Sequence, residues 1–372
     1  MKKIGILGGG QLGLMSYQAS LDLNFEMGFL DPDPSAPCSG LPGFVCGSLQ
    51  DESTILDFGQ KFEVISIEIE KVNVSALEKL AEKGIQVYPP AAAISIIQDK
   101  IKQKQYYQEK GYPTAAFHIT QNKEELKSLL HFLPAVHKLG RDGYDGRGVQ
   151  MLENDISQAF DAPSVLEQKV EINKELSVIV ARNASGQVQS FPVVEQVFHP
   201  KGHLLDYLLA PAQISPELAM QAQQIAESLT VDLQIVGLLS VEFFFTKQGH
   251  LLINEVAPRP HNSGHHSIEA NHTSQFQQFV RAIAGLPLGK TDMKVPFAAV
   301  VNLLGQTGQS GKANYLGMVE MLEKDGFFPH LYAKAQTKPL RKMGHVTILA
   351  DTLHELKTKV EWAKQNVKVV AV

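Results

Sequence analysis

The sequence predicts a mixed chain, α/β at its start and α+β beyond. An N-terminal doubly wound parallel α/β domain (1–90) is followed by a larger α+β domain (91–290) and a small C-terminal α/β domain (291–372). Three observations carry this. Strand-like and helix-like segments alternate strictly over residues 3–90, the rhythm of a parallel sheet with crossover helices. From 114 to about 255 the pattern changes to short strands and hairpins with interspersed helices. Gly285-Leu286-Pro287-Leu288-Gly289 then punctuates the chain before a last run of strands and one terminal helix.

In order, Ile4–Leu7 reads as a short buried strand and Gln11–Leu23 as a helix. Glu26–Leu30 reads as a strand, Ser53–Phe62 as a helix and Val64–Ile67 as a strand. Val74–Lys83 reads as a helix and Gln86–Tyr88 as a strand, ended by Pro89-Pro90. One long helix is expected over Ala91–Lys110, stopping at Gly111-Tyr112-Pro113. Leu133–Val136 and Val149–Leu152 flank a glycine-rich tip. Val165–Val170 is an apolar strand turning polar, and Glu175 opens the next strand, Leu176–Ala181. Ser240–Phe245 and His250–Ile253 form a hairpin across Thr246–Gly249, so Asn254 and Glu255 fall where the second strand opens into a loop. Ala298–Leu304, Val346–Leu349 and the helix Leu353–Gln365 complete the chain.

With 372 residues the chain exceeds one ordinary core. At 44% apolar and 20% charged the composition is that of a soluble globular protein. A net charge of −5 leaves no basic field for nucleic acid. No stretch approaches the roughly twenty apolar residues of a membrane span, and glycines interrupt the apolar start. Cys38 and Cys46 have neither metal-like spacing nor the density of a disulfide scaffold, so a reduced, cytoplasmic setting is expected.

Chemistry concentrates in three places. In a regular hairpin residue 245 pairs with 250, which sets Glu242 opposite Ile253 and makes Glu242 and Glu255 diagonal neighbours on one face. Two carboxylates among apolar strands repel unless neutralised, and a hard cation such as Mg²⁺, bound through oxygens and shared with phosphates, would do so. The plainer alternative is an edge hairpin with solvated acids. Gly8-Gly9-Gly10-Gln11-Leu12-Gly13 matches G-x-G-x-x-G between strand and helix, with Asp31 about twenty residues on. Alone it suggests a dinucleotide-binding oxidoreductase, or merely a tight turn. The third place is Lys138 through Gly148, with Gly143, Tyr144, Asp145, Gly146, Arg147 and Gly148 at a strand-loop-strand tip. It can fold over phosphates with Lys138 at its root.

Together these residues resemble the ATP-grasp superfamily and, within it, the N5-carboxyaminoimidazole ribonucleotide synthetase family, over essentially the whole chain. The markers are 8–13, Gln98-Asp99-Lys100 with Lys104, 143–148, Glu167-Gln168, Asn254-Glu255, Pro258 through His265, and Arg341-Lys342-Met343-Gly344-His345. The resemblance implies an N-terminal domain, a two-lobed ATP-grasp domain and a small C-terminal domain. It implies ATP-dependent carboxylation of 5-aminoimidazole ribonucleotide with bicarbonate, through a carboxyphosphate, in purine biosynthesis by a homodimer. Lys100 and Lys138 would contact the ATP phosphates under the 143–148 loop. Glu167, Gln168, Lys169 and Val170 would hold adenine, and Glu175 the ribose. Glu242 and Glu255, with Asn254 beside them, would carry Mg²⁺. Gln11 and Leu12, Tyr144, Asp145 and Arg147, Arg259, His261, Asn262 and Ser263, and Lys334 and Arg341 would hold the ribonucleotide. Asp145 and His261 are the candidates for the general base. A non-catalytic nucleotide-binding protein of the same fold is the remaining alternative.

Overall fold

The computed structural model describes residues 2–141, 143, 148–198 and 205–372. Its N-terminal part is a five-stranded parallel sheet, in the order Phe44–Cys46, Glu26–Asp31, Lys3–Leu7, Val64–Ile67, Gln86–Val87. Ile4, Ile6, Leu7, Phe29, Leu30, Val64 and Ile65 are buried, the continuous apolar run of strands covered on both faces. Asp51 and Asn73 cap the helices Glu52–Gly59 and Val74–Glu82 by accepting from the backbone N–H of Thr54 and Ala76. The Phe44–Cys46 strand escapes sequence reading because it is three residues long, half exposed and at the sheet edge. The strand order reverses between Lys3–Leu7 and Val64–Ile67. Gly8 and Glu68 therefore lie at the crevice where open α/β sheets bind ligands.

The single helix expected over 91–110 is two helices, Ala91–Ile97 and Lys100–Lys110. Asp99 is extended and accepts from the N–H groups of Ile101 and Lys102, a cap in mid-pattern that restarts the helix. Gln98 pins the break to the first sheet by donating to the carbonyls of Glu70 (2.6 Å) and Val72 (2.8 Å). The restart places Lys100 in the first turn of the second helix, where its N–H reaches the Gly140 carbonyl at 2.8 Å.

Two antiparallel sheets follow. The smaller runs Phe117–Thr120, Ser164–Gln168, Ala135–Leu139, Val149–Leu152. The larger runs Leu251–Ala257, Gly237–Thr246, Ile172–Arg182, Val194–Phe198, Leu205–Ala210, Phe297–Leu304, Lys342–Ala350, Phe327–Leu331, with Val188–Ser190 beside Ile172–Arg182. Of the C-terminal strands, Phe297–Leu304, Lys342–Ala350 and Phe327–Leu331 thus join the central sheet, where Leu208 pairs with Val300 and Val301 with Val346, while Gly311–Leu316, Gln336–Thr337 and Lys368–Ala371 form a separate three-stranded antiparallel sheet. Helices Pro216–Asp232, Gln275–Ala284 and Leu353–Asn366 cover it through Ala226 and Leu229, Phe279 and Ile283, and Leu356 and Val360, all buried.

The hairpin departs from the regular register. Phe245 pairs with Leu251, and the Thr246 N–H closes on the His250 carbonyl at 2.8 Å. The loop is therefore three residues long and ends on Gly249 at φ +84°, a bulged turn. A second irregularity lies between Glu242 and Phe243. Phe243 pairs with Ile253 and Glu242 with Glu255, so Asn254 is the extra residue of a β-bulge. The strand also continues past Ile253 to Ala257 instead of opening at Asn254. Glu242 and Glu255 are direct cross-strand partners, not diagonal ones.

Candidate active site

At the end of the first parallel strand, the loop donors face two carboxylates. Gly9 donates its N–H to Asp31 Oδ2 at 2.7 Å, and Leu12 donates to Glu68 Oε1 at 3.2 Å. A Cβ on Gly8 would lie 2.8 Å from Glu68 Oε2, and one on Gly10 would lie 2.5 Å from Oε1. These glycines make room for Glu68, and the place where a dinucleotide pyrophosphate would sit is held by protein carboxylates. Burial, aided by Asp31 and Glu70 and opposed by Arg259 and the Leu12 N–H, pushes the Glu68 carboxyl up to about 7. Gln11 and Leu12 open the first helix directly above it. Glu70 holds Arg259 across the sheets, Oε1 to Nε 2.9 Å.

On the small sheet, Lys138 and Glu167 are diagonal cross-strand neighbours two residues out of register, since Lys138 pairs with Val165 and Val136 with Glu167. Glu167 is buried and binds a lysine on each oxygen: Lys104 Nζ at 3.3 Å on Oε1 and Lys138 Nζ at 3.0 Å on Oε2. Burial would raise its carboxyl, but the two lysines prevail and hold it below the usual range. Lys138 also reaches Asn254 Oδ1 at 3.4 Å, and Lys100 lies 3.8 Å from Glu255 Oε1. Gln168 continues the strand, its N–H bonded to the Ala116 carbonyl, while Lys169 makes an exposed pair with Glu153. Val170 lies in the connection to the Ile172–Arg182 strand. Gly143 and Gly148 close the base of the second glycine-rich loop: a Cβ on Gly148, which stands at φ +72°, would come 3.0 Å from the Gly143 Cα. Tyr144, Asp145, Gly146 and Arg147 lie outside the described residues.

Glu242 and Glu255 face each other with unequal exposure, their side chains 23% and 56% exposed. Burial first, then the charge of Glu255, raises the Glu242 carboxyl to about 7. Gln196 Nε2 donates to its Oε1 at 2.8 Å. Glu175 stands two residues from Ser177, the cross-strand partner of Glu242, and its carboxyl too is raised to about 7 by burial and by Glu242. Among the described residues no three His, Cys, Asp or Glu converge as a self-sufficient metal cage. Two adjoining carboxylates, open on the Glu255 side, fit a hard cation whose remaining ligands are phosphate oxygens and water.

His261 Nε2 lies 3.7 Å from Glu242 Oε1. Its Nδ1 accepts from the Ser263 N–H at 3.3 Å, which assigns the ring proton to Nε2. Burial, then Arg259 and Lys342, depresses the imidazole to about 3, so it is neutral. Gln275 clamps the segment, accepting from the His261 N–H at 2.9 Å and donating to its carbonyl at 2.8 Å. Ser263 is buried, and its hydroxyl meets His261 Nδ1 at 2.9 Å and Ser177 at 2.9 Å; Asn262 begins the short 3₁₀ turn beside it. Lys334 and Arg341 approach from the connections between the C-terminal strands Phe327–Leu331, Gln336–Thr337 and Lys342–Ala350. Lys334 Nζ donates to the Lys342 carbonyl at 2.9 Å, and Arg341 Nη1 to that of Gln336 at 2.7 Å. Burial and Arg341 bring Lys334 down to about 8, against the pull of Glu68. The charge of Lys342 bears on both Glu242 and His261.

The structure therefore gathers three sequence-distant groups: Glu68 and the first loop, the Glu242–His261 region, and the Lys334–Lys342 cluster. Sequence reading passes over Glu68, Glu70 and Gln196, and it gives Lys104 and Lys342 no role beyond their place in the motifs of the resemblance. The two acids had a usable signal, because Glu68 and Glu70 follow Val64–Ile67 at the carboxyl end of a parallel strand. Gln196 had none.

Known proteins resemble this chain over nearly its whole length. Residues 1–98 match the ribonucleotide synthetase preATP-grasp domain, 105–276 the ATP-grasp domain, and 298–359 the phosphoribosylaminoimidazole carboxylase C-terminal domain. The N5-carboxyaminoimidazole ribonucleotide synthase of Brucella melitensis is 39% identical over 355 residues, covering 92% of this chain and 95% of that protein. The crystal structure of the synthetase from Thermotoga maritima superposes with a TM-score of 0.92 at 38% identity, covering 100% of both chains. The Aspergillus clavatus enzyme in complex with ADP and 5-aminoimidazole ribonucleotide superposes with a TM-score of 0.87 at 30% identity, covering 98% of each. No helix among the described residues is long and apolar enough to cross a membrane. An ATP-grasp core with these flanking domains, matched end to end at this identity, leads to one conclusion: the chain belongs to the N5-carboxyaminoimidazole ribonucleotide synthase family.

Proposed function

We propose that this chain carboxylates 5-aminoimidazole ribonucleotide at the expense of ATP, using bicarbonate and giving N5-carboxyaminoimidazole ribonucleotide, ADP and phosphate in purine biosynthesis. The observation that carries the reading is the convergence of the Glu68 loop, the Glu242–Glu255 pair with Arg259 and His261, and the Lys334–Arg341–Lys342 cluster. A nucleotide site built from the two central sheets is thereby joined to a basic anchor for a second phosphate.

In this reading the parts are 1–90, 91–290 and 291–372. Lys100 and Lys138 bind the ATP phosphates from the small-sheet side, beneath the 143–148 loop. The backbone from Glu167 through Val170 faces adenine and Glu175 the ribose. Glu242 and Glu255, with Asn254, would hold Mg²⁺, which supplies charge neutralisation on the transferring phosphoryl group when bound. A bicarbonate oxygen attacks the γ-phosphorus and ADP leaves, forming carboxyphosphate. The exocyclic amine of the ribonucleotide then attacks the carboxyl carbon, phosphate departs, and the amine loses a proton. Arg259, oriented by Glu70, and Arg147 stabilise the anionic intermediate. His261, neutral with its proton on Nε2, serves as a donor in this scheme, which leaves Asp145 as the base. Carboxyphosphate hydrolyses in water, so a loop closing over it has a chemical purpose. Gln11, Leu12, Tyr144, Asn262 and Ser263 shape the ribonucleotide pocket, and Lys334 and Arg341 take its phosphate. A cytoplasmic homodimer completes the proposal.

ADP release should require 5-aminoimidazole ribonucleotide and be fastest with bicarbonate. Productive turnover of glycinamide ribonucleotide with formate instead would overturn the assignment.

A further inference from the structure

Lys104 is the unexplained cation of the site. Its side chain is 2% exposed, sealed under the small sheet, and cannot itself reach a ligand between the lobes. A buried ammonium is costly unless paired, and burial brings this one down to about 8. Its partners form a closed circuit. Lys104 Nζ meets Glu167 Oε1 at 3.3 Å and the Thr114 hydroxyl, which donates to the Ile253 carbonyl at 3.1 Å. Glu167 Oε2 meets Lys138 Nζ at 3.0 Å, and Lys138 reaches Asn254 Oδ1 at 3.4 Å. Ile253 and Asn254 are consecutive, so the circuit returns to the strand that carries Glu255.

The charge count within this circuit is two lysines against one carboxylate. Glu167 is buried and is held ionised by both cations. Without Lys104, Glu167 and Lys138 would form a neutral pair, and the lysine at the mouth would offer phosphate little net charge. We propose that Lys104 is a positioning residue that balances Glu167 from beneath and so leaves the charge of Lys138 for the phosphates of the nucleotide. This rests on the phosphate-binding role assigned to Lys138 above. It gives Glu167 a task apart from the adenine edge: its carboxylate sets Lys138 in place, and the backbone beyond it remains for the base.

The test is a charge-balance series read by calorimetric titration with MgADP, together with steady-state constants for ATP. Lys104→Met should weaken nucleotide binding about tenfold or more, the loss of one buried unit charge beside the phosphates. It should raise KM for ATP and leave that for the ribonucleotide nearly unchanged. Adding Glu167→Gln to Lys104→Met removes the excess negative charge and should restore affinity to within about threefold of wild type. A structural defect would not be rescued by a second buried change. Should Lys104→Met fail to fold, two variants still decide. Lys104→Arg, which keeps the charge, should bind MgADP like wild type, and Lys104→Gln, which stays polar but loses the charge, should bind it about tenfold more weakly. A double variant as weak as the single one, or a Lys104→Gln protein that binds like wild type, overturns the proposal. Lys138→Met separates the two readings. If it fails to weaken MgADP binding, the phosphate role of Lys138 falls. If it weakens binding while Lys104→Met does not, only the inference about Lys104 falls.

Discussion

Replacing Glu68 by glutamine should stabilise the ligand-free protein, and only above a definite pH. The carboxyl rises from an ordinary 4.5 to about 7, chiefly through burial. Between these values the native chain binds a proton that the unfolded chain has released, so this group's contribution to stability falls as pH rises from about 4.5 to 7 and is flat above. A rise from 4.5 to about 7 corresponds to roughly 3.5 kcal/mol. Glu68 is only partly buried, so solvent screening reduces this to about 2 kcal/mol. Glutamine keeps an oxygen for the Leu12 N–H and cannot ionise. With an unfolding entropy near 2 cal/mol/K per residue, a chain of this length should gain about 2–3 °C in Tm at pH 8 and almost nothing at pH 5. Scanning calorimetry of both proteins at pH 5, 6, 7 and 8 without ligands measures this directly. A Tm difference independent of pH, or a variant less stable at pH 8, would refute the burial argument.

Two further outcomes follow from the site. Glu255→Gln should leave the fold intact, its side chain being more than half exposed, and lower turnover by at least about 10²-fold, the loss of a metal-holding carboxylate; wild-type turnover would remove the metal role from the hairpin. Arg341→Ala should raise KM for the ribonucleotide by about 10- to 150-fold, a charge-assisted pair being worth roughly 1.5–3 kcal/mol. KM for ATP should barely change, and equal weakening of both substrates would indicate a folding defect instead.

How much of this was legible depended on the range of the interaction. The parallel sheet could be read because each of its strands except Phe44–Cys46 announces itself by a local apolar run. The helix break at Asp99 was written in the sequence as a capping residue, but continuous helical periodicity on both sides concealed it. The hairpin was located correctly and its register was not. Gly249 set a three-residue loop, and the bulge at Asn254 depends on the neighbouring strands, which no local pattern encodes. Among site residues, the motif clusters stood out by composition, whereas Gln196 matters only because its strand lies two over from Glu242. Lys104 belongs in sequence to a family motif on a lysine-rich helix, and nothing local shows what it touches. Only the packing of that helix under the small sheet reveals that it is sealed.

The continuity of the large sheet has a consequence for modularity. The strand Phe297–Leu304 is hydrogen-bonded on one side to Leu205–Ala210 and on the other to Lys342–Ala350. The last 80 residues are therefore not a detachable unit joined by a tether. Cutting them away would bare a sheet edge at Leu205–Ala210, a template for unwanted pairing between chains. Grafting them from a distant homologue would require matched strand registers across that seam. In return, the Arg341 end of the sheet and the Glu242 end share one hydrogen-bonded lattice, so the spacing between the two proposed phosphate sites is preset by the scaffold. Mutations that tune one site should be inherited together with the seam that spaces it from the other.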